Sequence, residues 1–145
     1  METPRPPPSE SMRFRVRLRT RWSDEDNQRV LNNAVYLTLL EEARFAYFSG
    51  LKLLSENQFP FLLAQTNVVF VAPGRGGAEV ELQVRTRALG TTSFTQAYRV
   101  LEAASGVLWA EAEARLVLYD PLTGAKRPMP PEFRRAVEEL ERAPV

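Results

Sequence analysis

The residues that could do chemistry crowd into Trp22 to Arg44, WSDEDNQRVLNNAVYLTLLEEAR. There Asp24 and Asp26 stand two apart, with Asn32, Asn33 and Tyr36 behind them. A carboxylate can attack a carbonyl or activate water, and N–H donors can hold an oxygen that gains charge. The chain has no histidine and no cysteine. That excludes Ser-His-Asp and Cys-His mechanisms, His- or thiolate-ligated metals and disulfides, and no metal site is expected. Nor is DEDNQ a calcium loop: its sixth position is Arg29 where glycine is needed, and its twelfth is Val35 where glutamate is needed. Gly74-Arg75-Gly76-Gly77 lacks the Lys-Ser or Lys-Thr of a phosphate loop and reads as a hairpin turn. Glu41 and Glu42 could act as a catalytic pair on a helix. The reading favoured here pairs Glu41 with Arg44 at i,i+3 and leaves Glu42 at a polar helix end.

These groups need elements to hold them. Met12 to Trp22 alternates, with Phe14, Val16, Leu18, Thr20 and Trp22 on one side and Arg13, Arg15, Arg17, Arg19 and Arg21 on the other. That is a strand with one buried and one wet face, and acidic residues on a neighbouring strand should meet the arginines. After the polar stretch Ser23–Leu31, Asn32 or Asn33 suits a helix start, and Gly50 suits its stop. The helix between is apolar around most of its circumference, through Val35, Tyr36, Leu37, Leu39, Leu40, Ala43, Phe45, Ala46 and Phe48, so it should be enclosed. Strands are expected at 61–71, 78–88, 92–101 and 107–119, separated by glycine turns, with a closing helix from Pro131 to Arg142. One sheet of consecutive antiparallel strands around one apolar helix lets both bury their faces.

Composition narrows the class. The 145 residues are 44% hydrophobic and 26% charged with net charge +1, which suits one globular domain over residues 12–145 and gives no sign of a nucleic-acid partner. Residues 1–11 are proline-rich without an apolar segment, so they read as a disordered leader. The longest apolar run, Ala34 to Leu40, is too short to cross a bilayer. No membrane partner and a cytoplasmic location are the expectation.

Asp24, Asp26, Asn33, Tyr36, Glu42, Ala43 and Arg44 resemble an opening motif of the hotdog-fold thioesterases of the 4-hydroxybenzoyl-CoA type: aromatic-x-D-x-D-x-x-G, then N-x-x-Y, often continuing to E-x-A-R. The Ala72-Pro73 and Gly77 turn and Gly90-Thr91-Thr92-Ser93-Phe94 are similar too, so the likeness runs from about Phe14 to Tyr119. This family implies an α+β hotdog fold, a five-stranded antiparallel sheet around a central helix of about Asn33 to Ser49. It also implies hydrolysis of an acyl-CoA thioester without a cofactor, by a homodimer or homotetramer with sites between subunits. Carried over, Asp26 is the catalytic carboxylate and the Asn33 N–H holds the thioester oxygen. Asn32, Tyr36 and Thr92 become candidate substrate contacts. Arg29 stands where the family has glycine, and Val30 where it often has histidine. If the glycine position is left-handed, Arg29 strains it; Arg29 could instead offer a cation to a phosphate. Arg75, Arg85, Arg87 and Arg127 are further candidates for the CoA phosphates. Two other readings stay open: a non-catalytic acyl-CoA-binding hotdog protein, and an acyl-carrier-protein thioesterase.

Overall fold

The alternation in the N-terminal segment builds β1 (Phe14–Arg19), whose apolar residues turn inward while Arg15, Arg17 and Arg19 face solvent. A computed structural model describes residues 11–142. Except for Ser11, the expected leader lies outside the described residues, as do positions 143–145. Beyond β1 come a short 3-10 turn (Trp22–Asp24), α1 (Asn33–Gly50), β2 (Phe61–Phe70), β3 (Glu79–Leu89), β4 (Ser93–Glu102), β5 (Leu108–Leu118) and α2 (Pro131–Arg142). All pairings are antiparallel, and the sheet order is β1-β3-β4-β5-β2. This is the expected five-stranded α+β hotdog. No described helix is long and apolar enough to cross a membrane.

Sequence order and spatial order differ at one place. β2 does not pair with β3 but crosses to β5, from Phe61↔Leu118 to Phe70↔Ala110. The β3 edge it would need is taken by β1, from Phe14↔Val84 to Arg19↔Glu79. The glycine segment 74–77 is therefore a crossover between sheet edges, not a hairpin turn. Trp22 also departs from expectation. The 3-10 turn ends the alternation before it, and the residue is 82% exposed.

The strand arginines find the acidic neighbours expected of them: Arg15 lies 3.8 Å from Glu81 and Arg17 3.6 Å from Glu79. These exposed pairs mainly keep the β1 edge charged, which blunts it against further pairing. β1 covers only the first half of β3. Past it, the Glu141 carboxylate of α2 accepts the Thr86 N–H at 2.8 Å, and Arg134 donates to the Gly90 carbonyl at 2.7 Å.

α1 lies against the sheet through Tyr36, Leu39, Leu40, Ala43, Tyr47 and Phe48. At its C-terminal half Phe48 meets Phe61, Phe94 and Phe133 at ring-centroid distances of 4.9, 5.7 and 5.4 Å. Such aromatic packing supplies large apolar area and anchors α2 to the core. A polar thread runs through the same core. Tyr47 donates to Glu141 and also bonds Thr86; Gln96 donates to Thr86; Tyr98 donates to Gln96; and Arg44 donates to Tyr98. Burial holds the Tyr47 and Tyr98 hydroxyls above the usual phenol range. The expected Glu41–Arg44 pair does not form, because Arg44 turns inward to this thread. Enclosure of α1 is also incomplete: Leu37 and Phe45 remain 45% and 42% exposed.

Candidate active site

Residues 25–31 fold into a miniature hairpin in front of α1. Glu25 bridges Leu31, the Asp26 N–H donates to the Val30 carbonyl at 2.9 Å, and the Arg29 N–H donates to the Asp26 carbonyl at 3.0 Å. This is a three-residue loop closed by a residue in the left-handed region, the position that favours glycine. Arg29 occupies it with φ 61°. The strain expected at that position is therefore present in the backbone. Its side chain is exposed.

Within this loop Asp26 is half-buried, and its Oδ1 accepts the Gln28 N–H at 2.8 Å. Its Oδ2 has no hydrogen-bond partner among the described residues. Asp24 has a structural task instead. Its carboxylate accepts the Arg21 N–H at 2.8 Å and meets the Arg21 guanidinium at 2.9 Å. The Arg21 backbone bond, reinforced by the guanidinium, holds the Asp24 carboxyl below its ordinary range.

Asn32 caps α1 by accepting the Ala34 N–H on its side-chain oxygen at 2.9 Å. The capping bond takes one lone pair of the Asn32 side-chain carbonyl and leaves its amide NH2 without a bond among the described residues. The Asn33 N–H, next along, has no partner among the described residues. It belongs to the first helical turn, where free N–H groups and the positive end of the helix dipole favour an anionic oxygen.

Asn33 opens onto a cavity of about 340 Å³ whose wall includes Gln28, Leu31, Tyr36, Phe70 and Gly74. Tyr36 is buried, with its ring edge-on to Phe70 at 5.2 Å, and burial raises its hydroxyl above the usual range. Gly74 permits this placement, since a Cβ there would lie 2.5 Å from the Tyr36 hydroxyl and 2.8 Å from the Trp109 ring. The crossover also clasps the hairpin: Leu31 N–H donates to the Gly74 carbonyl at 2.8 Å, and Gly76 N–H donates to Glu25 at 2.9 Å. Gly76 has no room for a side chain, as its Cβ would fall 2.3 Å from the Arg21 carbonyl. Sequence reasoning missed this clasp; the close-spaced glycines were its signal.

The structure thus gathers Asn33 and Tyr36 in the cavity wall, with Asn32 beside them. Asp26 and Arg29 stand on the adjoining hairpin and are not part of that wall. Thr92 is at the far end of the sheet. Its carbonyl accepts the Leu118 N–H at 2.8 Å, and Leu118 pairs with Phe61, whereas the cavity adjoins Phe70. Among the described residues no group of three or more acidic side chains is placed to hold a metal ion.

Residues 20–137 match the thioesterase-like superfamily. A thioesterase from Thermus thermophilus, solved with coenzyme A and Zn, is 33% identical; the match covers 90% of this chain and 95% of that one, with TM-score 0.78. A hypothetical protein from the same species is 27% identical over 87% of this chain and 98% of its own, with TM-score 0.77. A 1,4-dihydroxy-2-naphthoyl-CoA thioesterase from Synechocystis shares the fold at TM-score 0.80 and 21% identity, over 90% and 98% of the two chains. No curated protein matches the chain.

Proposed function

The chain belongs to the thioesterase-like superfamily, and from that premise we propose that it hydrolyses an acyl-CoA thioester to a free carboxylic acid and CoA. The observation that carries this reading is the unpaired Asn33 N–H at the head of α1, opening onto an apolar-walled cavity. The thioester carbonyl oxygen sits on that N–H and gains charge there as the carbon is attacked. Asp26, through its free Oδ2, takes the proton of the attacking water or attacks the carbon itself. The C–S bond then breaks and the thiolate leaves, protonated by Asp26 or by solvent, as CoA. Where Asp26 itself attacked, a water then cleaves the acyl–Asp26 anhydride, releasing the acid and restoring the carboxylate. The 33%-identical thioesterase, which was solved with coenzyme A, supports CoA as the thiol. Arg29, exposed at the hairpin tip, is the proposed phosphate contact.

The same reading makes the protein a homo-oligomer. β2 is a ten-residue strand without a charged residue, and one of its edges has no strand beside it among the described residues. Such an edge favours pairing with another copy. Antiparallel pairing along β2 sets the Phe61 end of one copy beside the Phe70 end of the other. Thr92 of the second copy, across β5 from Phe61, then lies at the same end of the joined sheet as the cavity that adjoins Phe70.

Asp26→Asn keeps the side chain's shape but removes both nucleophile and base. Thiol release from the best acyl-CoA should fall at least ~10²-fold, while calorimetric binding of the intact thioester survives. Unchanged turnover would remove Asp26 from the mechanism and send the search to Glu41 and Glu42. One observation favours a second reading, an acyl-CoA-binding protein: the Asp26 carboxylate is engaged by Gln28 and does not line the cavity. A parent protein that binds acyl-CoA and releases no thiol would establish it.

A further inference from the structure

Two charges on the face beside β2 have no opposite charge paired with them among the described residues. Arg44 is only 5% exposed, yet its contacts are neutral: its Nε donates to the Tyr98 hydroxyl at 2.9 Å, and its guanidinium lies 5.4 Å from the Tyr98 ring centroid. A guanidinium taken out of water with no anion beside it is unfavourable, and hydrogen bonds to neutral groups offset only part of that. Glu41, one turn earlier on α1, is exposed and forms no hydrogen bond or ion pair among the described residues. Both line a cavity of about 220 Å³ between α1 and β2, with Leu37, Leu40, Leu63 and Thr66.

The surroundings of this pair are apolar. Leu37 and Phe45 flank Glu41 at i−4 and i+4 and stay exposed, and Leu63 and Phe70, on the face of β2 toward α1, are 47% and 48% exposed. An exposed apolar face of this kind, continuous with an uncharged strand edge, marks a surface that is covered by a partner. Thr66 lies near the middle of β2, so the cavity sits level with the strand's centre. A two-fold axis that pairs β2 with its own copy along its full length passes through that centre. Residues near such an axis meet reciprocally, i with j and j with i.

Within the β2 pairing put forward above, we propose that each Arg44 takes the Glu41 carboxylate of the other copy in two reciprocal ion pairs. The proposal rests on the homo-oligomer put forward above and fixes its register. It accounts together for a buried cation without an anion, an exposed anion without a cation, and the apolar stripe around them. The two pairs lie at the centre of the seam, enclosed by Leu37, Phe45 and Leu63, where water is excluded and screening is weakest.

The test uses the full chain in sedimentation equilibrium. Glu41→Arg makes a face with cations only, and Arg44→Glu one with anions only. Each alone should dimerise at least ~100-fold more weakly than the parent, and an equimolar mixture should recover the parent's affinity to within about tenfold. Recovery on mixing separates pairing between copies from pairing inside one chain. Because Arg44→Glu alters a buried contact with Tyr98, Glu41→Gln supplies a variant that leaves the core intact. It should weaken the dimer about tenfold, and by less at high salt. A parent that sediments as a monomer overturns the proposal, as does Glu41→Gln with the parent's dimer affinity. Folded single-sign chains that stay apart on mixing overturn it too. Thiol release is read separately: a dimer that recovers as expected but hydrolyses nothing supports this pairing and removes the proposed reaction.

Discussion

Replacing Arg29 with glycine probes the pre-helix hairpin where backbone and side chain disagree most. At φ 61° an L residue sits in the left-handed region, which disfavours a non-glycine residue by about 1–2 kcal/mol. Glycine removes that strain but gains freedom in the unfolded chain, offsetting about 0.5–1 kcal/mol. No side-chain contact enters the balance, since Arg29 is exposed and has no side-chain hydrogen bond or ion pair among the described residues. The net expectation is a stabilisation of about 0.5–1 kcal/mol. For a chain of 145 residues that is roughly 1–4 °C in Tm. Thermal unfolding followed by circular dichroism at one fixed protein concentration reads it, because association shifts Tm by mass action. Lys52→Gly, at φ 59°, provides a second left-handed position with the same expected sign. An Arg29→Gly protein that melts at or below the parent's Tm refutes the strain argument. Affinity for CoA is a separate readout. If Arg29 holds a phosphate, the substitution weakens binding, and more at low salt than at high salt.

Three further outcomes follow from the same geometry. Gly74→Ala drives a methyl group toward the Tyr36 hydroxyl and the Trp109 ring; it should destabilise by about 1–3 kcal/mol and weaken acyl-CoA binding, and an unchanged melting curve would contradict the packing described. Asn32→Ala removes the α1 cap and should lower stability by about 1 kcal/mol in urea unfolding, with the m-value unchanged. Asp24 has a depressed folded-state pKa, so its contribution is present above about pH 4 and is lost as pH falls through the folded value. The stability gap between the parent and Asp24→Asn should therefore be widest near neutrality and close below pH ~4; a gap independent of pH would deny the Arg21 pairing.

The strands and the central helix were legible because alternation in Phe14–Arg19 and Glu79–Leu89 reports burial directly, and because Asn32 is chemically suited to a helix cap. Trp22 was misread, since alternation alone does not reveal that a 3-10 turn interrupts it. The position of β2 beside β5 was also out of reach: strand order depends on which edge is already occupied, and β1 competes from sixty residues away. Arg44 shows a subtler limit. Its i,i+3 spacing to Glu41 suggested a surface pair, but a hydroxyl on β4 drew the guanidinium inward. The left-handed residue at Arg29 was legible only through the motif that has glycine there, because nothing local in Asn27-Gln28-Arg29 announces it. In the site, Asn33 and Tyr36 fell together because both belong to the head of one helix. Thr92 did not, because no local pattern tells which end of the sheet a turn occupies.

The half of β3 that β1 leaves bare is closed by side chains of α2 rather than by a strand, through Glu141 on the Thr86 N–H and Arg134 on the Gly90 carbonyl. This sets the valence of the folded chain. With that edge plugged, the outer edge of β2 is the long strand edge left without a neighbour among the described residues, and if the proposed pairing uses it once, the assembly closes at two copies. With α2 displaced, a sheet that pairs through β2 as proposed would have a second open edge, and pairing could then run from copy to copy without closure. All five strands precede α2 in the sequence. A chain whose strands pair before the twelve-residue α2 docks through Phe133 on Phe48 and Phe94 would therefore hold the Thr86 N–H and the Gly90 carbonyl open until that docking.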